Sequence, residues 1–78
     1  MSIPIVKVGQ VWKDRDKRSP NRHLRVIEIP KDLTALGARA TLQPCKPNGQ
    51  FISTKTTRIL ISRMRPTATG FDLVKDVN

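Results

Sequence analysis

The sequence predicts an all-β domain, and three observations carry that prediction. Its apolar residues are mainly Val, Ile and Leu, with Trp12, Phe51 and Phe71 as the only aromatics, a bias toward side chains that pack on a pleated surface. Apolar and polar residues alternate with a period of two in the middle of the chain, as a strand with one buried and one wet face requires. Pro, Gly and Asn then interrupt the apolar segments at short intervals, the spacing of turns between short strands. No internal repeat, low-complexity tract or linker breaks the pattern.

Taken in order, Val8 to Trp12 reads as a first strand, and the polar stretch Lys13 to Arg22, with Ser19-Pro20-Asn21, reads as a long loop. Leu24 to Ile29 is a second strand, stopped by Pro30. Lys31 to Gly37 is too short for a stable helix, with Asp32 its only cap, and reads as loop. Ala38, Ala40 and Leu42 alternate with Arg39, Thr41 and Gln43 in a third strand that ends near Pro44. Pro47-Asn48-Gly49 is a tight hairpin turn, because proline fixes φ at one corner while Asn and Gly accept positive φ at the next. The fourth strand, Thr56 to Ile61, sets Thr57, Ile59 and Ile61 on one face and Arg58 and Leu60 on the other. Ser62 to Arg65 precedes Pro66 and suits one tight 3₁₀-like turn, after which Gly70 opens a last strand from Phe71 to Val74. Five short strands, a long first loop, a tight hairpin and a one-turn break match a small five-stranded SH3-like barrel with a short 3₁₀ turn before the last strand. An OB-like barrel ordinarily needs a longer chain and a helix between its third and fourth strands.

With 78 residues there is room for one core, so the expectation is a single domain spanning 1–78. Cys45 is the only cysteine. No intrachain disulfide can form, and one thiol suits a reducing, cytoplasmic setting. Met1 to Lys7 is apolar for only a few residues and is interrupted by Pro4, far short of a signal peptide. No run approaches the roughly eighteen apolar residues of a membrane span, and a soluble chain is expected.

The formal net charge of +9 is the most unusual global property. Residues 1–32 carry eight Lys or Arg against four acids, whereas residues 33–71 carry Arg39, Lys46, Lys55, Arg58, Arg63 and Arg65 with no acid at all. Concentrated positive charge attracts polyanions. Two sets of basic residues form the candidate surface: Lys13, Arg15, Lys17, Arg18, Arg22 and Arg25 in and around the first loop, and Lys55, Arg58, Arg63 and Arg65 on the fourth strand and the turn after it. In an SH3-like barrel the first loop lies near the turn before the last strand, so the two sets are expected to merge. The competing reading is a solubilising surface with charge on all sides.

The remaining polar residues lack the parts of an enzyme. Asp14 and Asp16 form an Asp-x-Asp pair, but Lys13, Arg15, Lys17 and Arg18 surround it and repel a cation. A structural role for Asp14, accepting from loop amides, is the expectation. His23 and Cys45 show no sign of meeting, and a Cys-His nucleophile needs that meeting and an orienting third group. Glu28 and Asp32 pair with no second acid, and the chain has no phosphate-cradling glycine loop and no metal-ligand spacing. No cofactor, metal or small-molecule substrate is expected. Trp12 reads as a core anchor ahead of a stacking platform, Phe71 likewise as core, while Phe51 is open between touching a partner and covering one end of the fold.

Val8-Gly9-Gln10-Val11-Trp12-Lys13-Asp14-Arg15-Asp16-Lys17-Arg18, Arg22-His23-Leu24-Arg25-Val26, Arg58-Ile59 and Ser62-Arg63-Met64-Arg65-Pro66-Thr67-Ala68-Thr69-Gly70-Phe71-Asp72-Leu73-Val74 together resemble short uncharacterised basic proteins encoded by actinobacteria and their phages. The chain departs from that pattern in having Asn21-Arg22 in place of Gly-Arg. The resemblance implies an intact small domain of viral origin and supplies no catalytic or binding residues. Val8-Gly9-Gln10-Val11 is also similar to the start of a KOW-type strand, without the downstream pattern. The functional expectation from charge is a module that binds DNA or RNA through phosphates; the alternative is a protein-interaction module that docks on an acidic host surface.

Overall fold

Period-two alternation resolves into five antiparallel strands: β1 (Val11–Asp14), β2 (His23–Glu28), β3 (Arg39–Cys45), β4 (Thr57–Leu60) and β5 (Phe71–Lys75). A 3₁₀ turn, Ile61–Arg63, separates β4 from β5. The computed structural model describes residues 6–16, 18, 22–32, 35–66 and 70–77. The strands form one sheet in the order β4-β3-β2-β1-β5, so four neighbours follow the chain in a meander and β5 returns to lie beside β1. Among the described residues no helix is long and apolar enough to cross a membrane.

Register decides which side chains are buried. Trp12 lies opposite Leu24 on one side and Leu73 on the other, Val26 opposite Leu42, and Ala40 opposite Ile59. These inward positions, with Val6, Met64 and Phe71, make the core, and Ile29, Ile61 and Leu73 pack against it. Trp12 is fully buried. Burying a large apolar side chain contributes about 1.5–3 kcal/mol relative to leaving it exposed. Its indole Nε1–H still needs an acceptor and finds Gln10 Oε1 at 3.1 Å. Gln10 Oε1 also accepts from the Lys7 amide at 2.8 Å, and Gln10 Nε2 donates to Asp76 Oδ1 at 2.8 Å.

The structure differs from the sequence expectations at four points. The first strand begins at Val11, because Gly9 adopts φ +99° in a turn that precedes it. β3 runs through Pro44 to Cys45; β4 pairs only with Arg39 to Leu42, and beside Pro44 its place is taken by Ile52, whose N donates to Pro44 O at 3.2 Å, a bond that makes no use of the missing proline N–H. The 46–50 segment closes as a tight turn, with Gly49 N donating to Lys46 O and Lys46 N to Gln50 O, each at 2.8 Å. It does not lead straight into β4: Phe51 forms a lone bridge to Cys45, and pairing with β4 resumes only at Thr57. Finally, the sheet is open, with β4 and β5 at its two edges, where the expected barrel would be closed.

Candidate functional site

Outward positions follow from the same registers. Val11 and Lys13 alternate with Trp12 and Asp14 on β1, Arg25 and His23 lie opposite them on β2, and Arg39, Thr41 and Gln43 continue the face on β3. Arg58 lies opposite Thr41 on β4, and Lys75 lies opposite Val11 on β5. Each of the five strands therefore presents at least one basic side chain on the outward face: Lys13, Arg25, Arg39, Arg58 and Lys75.

Three of the five described residues of the first-loop set are matched by acid. Arg22 Nη1 lies 3.5 Å from Asp14 Oδ2, Arg18 Nη2 2.9 Å from Asp16 Oδ2, and Arg15 Nη1 3.6 Å from Asp72 Oδ1. The carboxylates also shape the loop, since Asp14 Oδ1 accepts from the Asp16 amide and Asp16 Oδ1 from the Arg18 amide, both at 2.9 Å. This is the backbone-capping use expected of Asp14. Hydrogen bonds from the Arg18 side chain and amide hold the Asp16 carboxyl at about 2, below its ordinary 3.8, and the fields of Arg18 and Arg63 act in the same direction. Lys17 lies outside the described residues.

Two backbone bonds place the end of β1 beside the turn before β5: Arg15 N donates to Gly70 O at 3.1 Å, and Phe71 N to Arg65 O at 2.9 Å. Arg15 and Arg65 are thus carried on adjoining segments on the β1–β5 side. Lys55 and Arg58 do not join them. They lie before and on β4, the opposite edge of the sheet.

Arg25 has a structural use. Its Nη1 donates to Gly49 O at 3.2 Å and its Cζ sits 5.2 Å from the centroid of the Phe51 ring. The guanidinium thus clamps the 46–50 turn over the outward face, where Val11, Cys45 and Gly49 are buried away from the main core. Phe51 keeps 43% exposure. His23 and Cys45, far apart in sequence, are opposite each other in the β2–β3 register; among the described residues no group of three or more His, Cys, Asp or Glu is placed to hold a metal ion.

Arg39, Thr41 and Glu28, like Lys75 outside the two expected basic sets, also lie on the outward face. Arg39 and Thr41 were legible from the alternation of β3, but Glu28 was not. It shares parity with the buried Leu24 and Val26, and only a bulge between Val26 and Glu28 turns it to face outward opposite Thr41. Glu28, Arg39, Thr41 and Arg58 line an open groove of about 370 Å³. Among the described residues Arg39, Arg58, Lys55, Lys46 and Arg65 have no carboxylate within ion-pair distance. Lys7, Lys13, Arg25, Lys31 and Lys75 are unmatched by the same measure, so the uncompensated charge extends across all five strands, and what sets 39–65 apart is that no acid falls within it. The chain matches no protein-family model, and none of the curated proteins or solved structures matches it.

Proposed function

We propose that this domain binds nucleic acid through the phosphate backbone, using the basic outward face of its sheet. The observation that carries the reading is the run of six cations from Arg39 to Arg65 with no intervening acid, five of them without a carboxylate partner among the described residues. Arginines already matched to carboxylates release few counterions on binding, whereas unmatched ones release nearly one per phosphate neutralised. Stacking is a minor term, because Trp12 is buried and Phe51 already lies under Arg25. The domain therefore reads charge and shape ahead of bases.

The sheet path suits a barrel reading. A meander in which β1 pairs with both β2 and β5, with a 3₁₀ turn before β5, is the path of an SH3-like barrel, and bulges in β2 and at the β1–β5 pairing add curvature. The buried thiol of Cys45 suits a reducing cytoplasm.

Titrating labelled duplex DNA and RNA at several salt concentrations tests the function. With about six phosphates contacted, the logarithm of affinity falls with a slope near −5 against the logarithm of salt. A slope near zero, or no binding to either nucleic acid, overturns the reading. A protein-docking role has its own support in Leu36 and Ile52, both well exposed. One acidic protein retained in stoichiometric amount after nuclease treatment and moderate salt decides for that role.

A further inference from the structure

The groove on the outward face of β2, β3 and β4 has a built arrangement of charge. Glu28, Thr41 and Arg58 occupy one row across three strands, paired Glu28 to Thr41 and Thr41 to Arg58. Arg39 lies two residues before Thr41 on the same face, diagonal to Arg58. Diagonal neighbours in an antiparallel pair are roughly 7–8 Å apart at the backbone, a spacing from which two arginines can converge on one anion. The bulge that brings Glu28 into the row is the kind of irregularity that re-aims a side chain at a site.

The charge sum points to the ligand. Arg39 and Arg58 contribute two positive charges and Glu28 one negative, leaving one positive charge in the groove, the complement of a singly charged phosphodiester. Guanidinium forks match phosphate oxygens in geometry as well as charge, and the Thr41 hydroxyl between them is a further donor. Pro30 gives the groove an apolar wall. At Gly37, where φ is +81°, nothing lies within 4 Å of the position a Cβ would take, so that end is open. At about 370 Å³ the groove is at the small end of ligand-binding clefts.

We infer that this groove seats one nucleotide unit of a single strand, with Arg39 and Arg58 clasping its phosphodiester and the sugar and base lying toward Pro30 and Gly37. The inference rests on the nucleic-acid reading and narrows it to a seat. Glu28 keeps the groove from attracting a more highly charged anion, so removing its charge strengthens binding of any polyanion.

The test is fluorescence anisotropy with a labelled short single strand and a duplex of the same sequence. Four proteins are compared: the unaltered chain, the double variant Arg39→Gln/Arg58→Gln, the control Lys13→Gln/Lys75→Gln, and Glu28→Gln. The control removes the same charge from the β1–β5 side of the sheet. The arginine pair weakens single-strand binding about tenfold or more, lowers the salt slope by about 0.7 for one phosphate no longer neutralised, and affects the duplex less. Glu28→Gln tightens binding. Equal losses in the two double variants, or equal losses on single strand and duplex, overturn the seat while leaving general phosphate binding intact. Failure of the unaltered protein to bind either probe overturns both. All of the substituted residues are exposed, and unchanged Trp12 fluorescence verifies the fold.

Discussion

Gln10 shows how a single polar side chain can hold a small core together. Its Oε1 takes both the Trp12 indole N–H and the Lys7 amide, while its Nε2 reaches Asp76 beyond β5. Replacing Gln10 by Leu keeps the volume and strands both donors, one of them deep in the core, at about 1–3 kcal/mol for each buried group left unpaired. Urea unfolding of Gln10→Leu is expected to show a loss of about 2 kcal/mol or more; a neutral result would mean that the indole finds another acceptor. Asp16 offers a test by pH. Its folded pKa is depressed to about 2 from 3.8, so its contribution to the loop is complete above the unfolded value and is lost as pH falls from 3.8 toward 2. Carboxyl NMR should show Asp16 titrating near 2, and Arg18→Ala should return it toward 3.8, since the Arg18 bonds are the largest cause. A titration at the ordinary value in the unaltered protein would show that the Asp16–Arg18 pair does not persist in solution.

At the scale of elements, the 46–50 turn is the least conventional part of the fold. It lies over the outward face, held by its own two backbone bonds and by Arg25, and Gly49 sits at φ +94° with its would-be Cβ 3.5 Å from Val11. Gly49→Ala is therefore expected to destabilise by about 1–2 kcal/mol, read from thermal or urea unfolding. Under the turn, burial pushes the Cys45 thiol up from 9.0, against the field of Arg25. Arg25→Met should speed alkylation of Cys45 while leaving Trp12 fluorescence unchanged. The charge effect alone would slow alkylation, so a faster rate reports opening of the turn. An unchanged or slower rate means that Arg25 does not hold it shut. Most of β2 and β4 was legible because alternation is a local property, and Pro47-Asn48-Gly49 announced its turn. The seating of that turn over Val11 was not legible, since it depends on an Arg25 to Gly49 contact across 24 residues. The same limit hid the outward turn of Glu28, whose parity in sequence is that of a buried residue.

For the whole molecule, the decisive quantity is where charge remains after internal pairing. The acid-free stretch was visible in the sequence, as was the meeting of the first loop with the turn before β5. What the sequence obscured is that Arg15, Arg18 and Arg22 each have a carboxylate in reach, one of them from Asp72 at the far end of the chain, so three of the loop's cations are matched within the fold. Two variants with identical composition change separate net charge from location. Substituting Arg15, Arg18 and Arg22 with Gln removes three charges of the +9, and substituting Arg39, Arg58 and Arg65 with Gln removes the same number. A composition account expects equal loss of nucleic-acid affinity. Removing the paired arginines, however, leaves Asp72, Asp16 and Asp14 without their counter-charges, with the modest loss of stability that solvent-screened ion pairs carry and a small change in salt slope. Removing the unpaired arginines should cost little stability but reduce the slope on duplex DNA by up to about 2, nearly one for each of two phosphates no longer neutralised, Arg39 and Arg58 sharing one of them. Equal slopes from the two triple variants would mean that carboxylate pairing does not withdraw the loop arginines from the binding surface, and the interface would then extend from β4 across the sheet to the first loop.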